Sequence, residues 1–355
     1  MKVRPVTFLS TSVLAANGPE RYVAVDNVCA WPNLTVLPNG DLAAVIFNHP
    51  SHGLAEGDVE VWASNDGGKL WKLRGTATTH DPGTNRMNVA AGLAHSGDLI
   101  VLAAGWGGAG FRERILPVQV SRSADGGRTW QRSLDVKLPD GVSHLTPFGD
   151  VVQMERNLLA APLYFLDHDW ETDPRLGRKN SISYLLFSKD DGRTWGDGVI
   201  IGRDDFNEAS VLRLRADHWL AALRTSHLVM SSRWNDEHLE LFTSNDEGRT
   251  WKNAGALTLP SHHPAHLLRL KDGRILLTYG LREKGHQGIG MRVSADEGKT
   301  WQAPTRIVNL QGSTDSGYPS SVQLTDGSLV TAYYSNAIVE HRRYHMGVAH
   351  WALPD

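Results

Sequence analysis

Short stretches in which apolar and polar residues alternate, broken at regular intervals by polar turns, run along nearly all of this 355-residue chain. NLTVLPNGDLAAVIF from Asn33 holds two such stretches around Asn39-Gly40, and DVEVWAS follows from Asp58. The same order returns in MNVAAGLAHSGDLIVLAAG then LPVQVSRS, HLTPFGDVVQMERNLLAAPLYF then SISYLLFS, ASVLRLRADHWLAALR then HLELFTS, and AHLLRLKDGRILLTYG then IGMRVS. Alternation at period two around short turns predicts antiparallel hairpins, because successive strand side chains point to opposite faces. No stretch has a convincing helical period. A last unit, SSVQLTDGSLVTAYY then HMGVAHWAL, makes six inner-strand pairs and so predicts six small sheets. A further alternating stretch near Val6–Leu14 is expected to complete the sixth sheet, tying the two ends together so that no free edge remains.

Between the third and fourth expected strands one phrase recurs five times: SNDGGKLW from Ser64, SADGGRTW from Ser123, SKDDGRTW from Ser188, SNDEGRTW from Ser244 and SADEGKTW from Ser294. The copies start 59, 65, 56 and 50 residues apart, the mark of an array of similar units. Each suits a turn whose Asp caps backbone N–H groups, whose Gly takes positive φ, and whose Trp packs between units.

The phrase S-x-D-x-G-x-T-W resembles the Asp-box (BNR) repeat of the sialidase superfamily. The resemblance covers nearly the whole chain and implies an all-β, six-bladed β-propeller with Asp-box repeats, read as one domain over residues 1–355. It says less about activity, since one fold hosts many functions.

Composition narrows the picture. A net charge of −3 with interspersed signs provides no basic field for nucleic acid. No apolar run reaches a membrane span. A single cysteine, Cys29, allows no internal disulfide and reads as a small buried residue. The first residues, MKVRPVTFLSTSVLAANG, have a basic start, an apolar middle and Ala-Ala, yet Pro5 and the alternation read better as a strand; the expectation is an intracellular or already processed chain. The insertion DHDWETDPRLGRKNS after Phe165 is expected to loop over one mouth.

In a propeller the start of each inner strand reaches one rim of the central channel. Those positions are Trp31 and Asn33, Arg86 and Asn88, His144, Asn207 and Glu208, His262 and His263, and Tyr318. Polar and aromatic groups from six units converging on one mouth predict a ligand pocket. The resemblance goes further. SGYPSSVQLTDGSLVTAYY looks like the segment carrying the sialidase nucleophile, which puts that role on Tyr318, and FNEASVLRLRADHWLAALR like the segment carrying its activating carboxylate, Glu208. A phenol is a poor nucleophile until a neighbouring carboxylate takes its proton. Sialidases also hold the substrate carboxylate with three arginines; Arg224 matches the second, and Arg282 the third in preference to Arg292, which lies inside a strand. Where the first is expected, the chain reads CAWPNLTVL, with Ala30 or Trp31 in its place, and Arg86 from the next blade is the candidate substitute. The family's acid/base falls in FNHPSHGLAEGDVEVW, which offers Glu56 first, Asp58 second and His52 third, with His49 nearby.

Three readings follow. The first is a sialidase-like exo-glycosidase acting on a terminal acidic sugar of a glycan through a retaining Tyr–Glu mechanism, with no cofactor and no metal. The second is a lyase or hydrolase on a uronic-acid-type glycan, with Tyr318 as base and His144 or His263 assisting. The third is a glycan-binding propeller without catalysis. Pooling of His52, His144 and His263 around a metal is disfavoured, since adjacent strand residues such as His262 and His263 point to opposite faces. The sequence carries no signal for oligomeric state.

Overall fold

The computed structural model describes residues 19–111, 113–166, 181–225 and 236–353. Six sheets are arranged as the blades of a β-propeller, built in chain order from channel to rim except at the outer edge of blade 6. Blade 1 runs Ala30–Val36, Leu42–Phe47, Val59–Ser64 and Lys72–Thr78. Its inner strand is flanked by those of blades 2 (Asn88–Leu93) and 6 (Ser316–Gln323), and blades 4 and 5 begin with Phe206–Arg215 and His262–Arg269. The second strands are the driest: Leu42–Phe47 and Leu99–Ala104 are buried at every position. A middle strand flanked by two sheets has no wet face, so alternation gives way there to continuous apolar sequence.

Blade 6 is closed by Glu20–Asp26, which pairs antiparallel with His345–Trp351 from Glu20↔His350 to Asp26↔His345. The expected closing stretch, Val6–Leu14, lies outside the described residues, and the position it was assigned is taken. In the other blades the outer strand hands over quickly to the next inner one, as from Ala256 to His262 or Asn309 to Ser316. Asp26 to Ala30 is the same step, so the segment directly before blade 1 belongs at the outer edge. The insertion expected over the mouth, 167–180, is also outside the described residues.

Blade 3 departs from the pattern. Its inner edge is broken into Thr146–Pro147, Gly149–Asp150 and Val152–Gln153. Gly149–Asp150 pairs in parallel with Ala90–Ala91 of blade 2 rather than with its own blade. Pro147 offers no N–H for a ladder, and Gly149, at φ 96°, passes so close to blade 4 that a Cβ would stand 2.8 Å from the Ala209 carbonyl oxygen. The break delivers Phe148 and Asp150 to the channel.

Every Asp box links the third and fourth strands of its blade, at the rim, and no box residue lines the central cavity. In the second copy Asp125 Oδ1 accepts the Arg128 and Thr129 N–H groups at 3.0 and 2.9 Å, and Ser123 Oγ accepts the Gly127 N–H. Trp130 then donates Nε1–H to the Gly127 carbonyl. The five box glycines that follow this pattern all have positive φ and press on the preceding blade: a Cβ on Gly68 would meet Val330, on Gly127 Val61, on Gly192 Ile100, on Gly248 Leu185 and on Gly298 Leu220. The boxes therefore clamp neighbouring blades.

Hydrogen bonds headed by the Thr129 hydroxyl and N–H hold the Asp125 carboxyl well below its usual range; the Leu70 N–H leads for Asp66, and the Thr300 hydroxyl brings Asp296 to about 2. A depressed folded-state pKa gives stability that is complete above the unfolded value and lost as pH falls through the folded one. Acid should therefore loosen the rim between about pH 4 and 2. Asp125→Ala should lower unfolding free energy by about 1–2 kcal/mol, as loss of a cap does, with ligand affinity unchanged. Denaturant melts of wild type and variant at pH 7 and pH 3 check this: the gap between them should shrink at pH 3.

Candidate active site

Four inner strands carry a register shift where they meet one mouth of the channel: between Ala30 and Asn33, Asn207 and Ser210, His262 and Ala265, and Gly317 and Ser320. A bulge re-aims the side chains beside it. At three of these shifts a bulky residue sits at positive φ: Trp31 at 46°, Glu208 at 35° and Tyr318 at 51°. Such backbone is sparsely populated in L-residues and persists where the surroundings impose it. All three side chains line one cavity of about 210 Å³, together with His52, Asn88 and Asn207.

On the cavity wall the Tyr318 hydroxyl donates to Glu208 Oε1 at 2.5 Å. Arg224, paired in register with Asn207, places Nη1 2.8 Å from Glu208 Oε2 and 3.4 Å from the Tyr318 oxygen. Its Nε and Nη2 go to Glu237, which is almost fully buried and opens the third-strand side of blade 4. Burial pushes the Tyr318 phenol well above its ordinary pKa and the Glu208 charge adds to this, against Arg224 and Arg282, so the ground state is a neutral phenol. Burial works against the charge on Arg224, but Glu208 and Glu237 outweigh it and hold the guanidinium ionised.

A second constellation sits beside the first, across Trp31. Asp315, three residues before Tyr318, accepts from Tyr334 at 2.5 Å, Tyr344 at 2.8 Å, His52 Nδ1 at 2.8 Å and Arg282 Nη2 at 3.3 Å. Burial raises its pKa, but His52, Arg282 and Tyr334 prevail and hold it well below the usual range. An ionised Asp315 takes the Nδ1–H of His52, leaving Nε2 as the ring nitrogen able to exchange a proton with the cavity. The His52 ring stands edge-on to Trp31, centroids 4.9 Å apart. Arg282 also donates to the Ser316 carbonyl and lies over the Tyr318 ring at 5.9 Å.

The structure thus brings Tyr318, Glu208, Arg224, Trp31, His52 and Asn88 to the cavity, and Arg282 and His263 to an adjoining one of about 260 Å³ that shares Arg224, Glu237, His52 and Tyr318. Four expectations are corrected. Glu56 is exposed and bound to the Gly83 N–H, and Asp58 accepts from the His80 ring and N–H, so neither carboxylate faces Tyr318. This segment folds onto residues 80–83, where the His80 and Gly83 N–H groups take the two carboxylates. Arg86 is buried and donates to the Pro117 carbonyl instead of filling the corner left by the missing first arginine, which Trp31 occupies. His144 bonds to Ser143 and the Leu166 carbonyl and packs on Phe165, away from the cavity, because the broken edge of blade 3 presents Phe148 there instead. Arg292 holds the Trp301 and Gln302 carbonyls of its own blade and the Leu257 carbonyl of the link from blade 4, a structural role in keeping with its strand position. Cys29 is fully buried and burial raises its pKa well above the ordinary value. Among the described residues, no group of three His, Cys, Asp or Glu side chains is placed to hold a metal ion, and no helix is long and apolar enough to cross a membrane.

Residues 40–331 match the BNR repeat-like domain family. The chain belongs to this family, within the sialidase superfamily. Among characterised proteins, this BNR repeat-like chain is similar to a sialidase of Clostridium perfringens, 22% identical over 244 residues, a match spanning 62% of this chain and 59% of that protein. Its fold is shared with a crystal structure of a protein of unknown function from Dyadobacter fermentans (TM-score 0.76, 22% identity, 94% of this chain and 98% of that one). It is shared also with the Hadza microbial sialidase Hz136 (TM-score 0.71, 20% identity, 94% and 68%). At these identities the likeness is one of fold. The family signature found neither Glu237 nor Asp315. Their only signal was position, one opening the third strand of blade 4 and the other three residues ahead of the bulged Tyr318.

Proposed function

We propose that this BNR repeat-like chain is a retaining glycosidase that removes a terminal sugar, with Tyr318 as nucleophile and Glu208 as its base. The observation that carries the reading is the 2.5 Å bond between a phenol and a carboxylate from different blades, both held at positive φ on the cavity wall. Tyr318 Oη attacks the anomeric carbon as its proton passes to Glu208. The glycosidic C–O bond breaks, its electron pair goes to the leaving oxygen, and that oxygen takes a proton from His52 Nε2. Water then attacks the same carbon, giving a proton back to His52, while the Tyr318 oxygen leaves and recovers its proton from Glu208. His52 is the group that remains for the acid/base role once Glu56 and Asp58 point elsewhere, and Asp315 orients it. A lyase reading needs Tyr318 as a phenolate base, which burial opposes.

The expectation of an acidic sugar draws on Arg224 and Arg282 lining one cavity. It is weakened by the carboxylates already bound to both and by Trp31 at the third corner.

The test is a panel of aryl glycosides, followed by a fluorinated analogue of whichever is cleaved and mass mapping of the trapped protein. Label on the Tyr318 peptide is the expected result; label elsewhere, or none on an active enzyme, ends the Tyr–Glu reading. His52→Ala should cost about 10²–10⁴-fold in kcat on glycosides with poor leaving groups and far less on nitrophenyl glycosides, whose leaving oxygen needs little protonation. Equal losses on both would remove His52 from the acid role.

A further inference from the structure

Three side-chain amide oxygens beside the cavity have no hydrogen-bond partner. Asn33, Asn88 and Asn207, from blades 1, 2 and 4, all line it, and the Oδ1 of each is buried without a hydrogen-bond partner. Asn33 and Asn207 are 5% and 8% exposed, so bulk water does not satisfy them. The orientation of Asn33 is fixed, because its Nδ2 is spent on the Gly149 carbonyl at 2.9 Å and Asp150 Oδ1 at 2.8 Å, leaving Oδ1 as its unpartnered atom. The phenol and the guanidinium on the wall are spent as well: Tyr318 on Glu208, and Arg224 on Glu208 and Glu237. A buried acceptor left unpaired is costly, and three beside one cavity favour a ligand that brings hydroxyl donors.

The charges agree. Glu208, Glu237 and Asp315 stand against Arg224 and Arg282, so among the described residues around Tyr318 carboxylates outnumber guanidiniums three to two, and the protonated His52 that the acid role requires is itself paired with Asp315 and only balances the count. A substrate carboxylate entering this site finds no uncompensated cation, offers no proton to the asparagine oxygens, and meets the Trp31 ring where a third guanidinium would be needed. A sugar hydroxyl, by contrast, donates to an amide oxygen, and its own oxygen answers Trp31 Nε1, a donor on the same wall that is likewise unpartnered.

We infer that the cavity is a subsite for a neutral pyranose, whose hydroxyls donate to the Oδ1 atoms of Asn33, Asn88 and Asn207, and that sugars carrying a carboxylate at or beside the anomeric carbon are poor ligands. This rests on the glycosidase reading for which bond is cut, but not for whether the sugar binds. Apolar walls from Met87, Trp106, Phe148 and Tyr164 suit the C–H faces of such a ring.

Calorimetric titration of the full chain needs no turnover, so it separates the two readings. The probes are methyl glycosides of neutral hexoses, 6-deoxyhexoses and N-acetylhexosamines, set against methyl glucuronide and a methyl sialoside. At least one neutral glycoside should bind about tenfold or more tightly than either acidic one. Asn88→Leu, which deletes the acceptor, should weaken that binding by about 10–100-fold. Asn88→Asp, which keeps an acceptor in the same place, should leave it within a few fold. Asn207→Leu and Asn207→Asp form a second pair, with thermal melts confirming that each variant folds. The inference is overturned if glucuronide or sialoside binds more tightly than every neutral probe, if no neutral probe binds, or if Asp damages binding as much as Leu, since the amide N–H would then be the working group. Binding as expected without any label on Tyr318 would leave this inference standing and end the Tyr–Glu one.

Discussion

Tyr318→Phe is expected to lower kcat by about 10³-fold or more on any glycoside the wild-type chain cleaves, while binding changes by only a few fold. The variant deletes one oxygen. The ring keeps its edge contacts with Phe148 and Tyr334, centroids 5.7 and 5.6 Å away, so the wall of the cavity keeps its shape. What disappears is the atom that forms the covalent bond, and with it the proton that Glu208 accepts. A rim aromatic with no chemical task would lose almost nothing on the same change. Glu208→Gln offers the companion measurement: it keeps a hydrogen bond to the phenol but cannot take its proton, so kcat should fall by about 10²–10⁴-fold with little change in affinity. Steady-state kinetics of both variants, with binding measured separately by titration, decide the matter. A Phe variant with near wild-type kcat would mean that Tyr318 is not the nucleophile.

How much of this was legible in the chain follows from which interactions are local. The Asp boxes were readable because each is closed within eight residues: the Asp, the N–H groups it caps and the Trp that returns to the box glycine all lie inside one phrase. The blade count followed from period-two hairpins for the same reason. Tyr318, Glu208 and Arg224 were reachable through family resemblance, and the bulges that aim them have no clear mark in the sequence beyond small or polar neighbours such as Gly317 and Asn207. Asp315 and Glu237 escaped because what matters about them is partners 263 and 13 residues away, His52 and Arg224. Glu56 looked available because Ala and Gly flank it; the turn at residues 81–84 that captures it is visible only in three dimensions. Val6–Leu14 draws the closing-strand expectation by its alternation, and the short handovers between blades that point to Glu20–Asp26 show only in three dimensions.

Arg224→Met is expected to cost about 3–5 kcal/mol of unfolding free energy, the range for breaking a buried ion pair by removing one partner. The side chains of Arg224, Glu208 and Glu237 are 13%, 8% and 3% exposed, so removing the guanidinium leaves two carboxylates facing each other out of reach of bulk water. Neither has another guanidinium in its place: Arg282, the nearest alternative, is held by Asp315 and the Ser316 carbonyl. If that account is right, neutralising a second partner relieves the first loss, and Arg224→Met combined with Glu237→Gln should be more stable than Arg224→Met alone. A purely packing role for Arg224 predicts the opposite, that the second change adds a further cost. Denaturant unfolding of the two single variants and the double variant at pH 7 separates these outcomes.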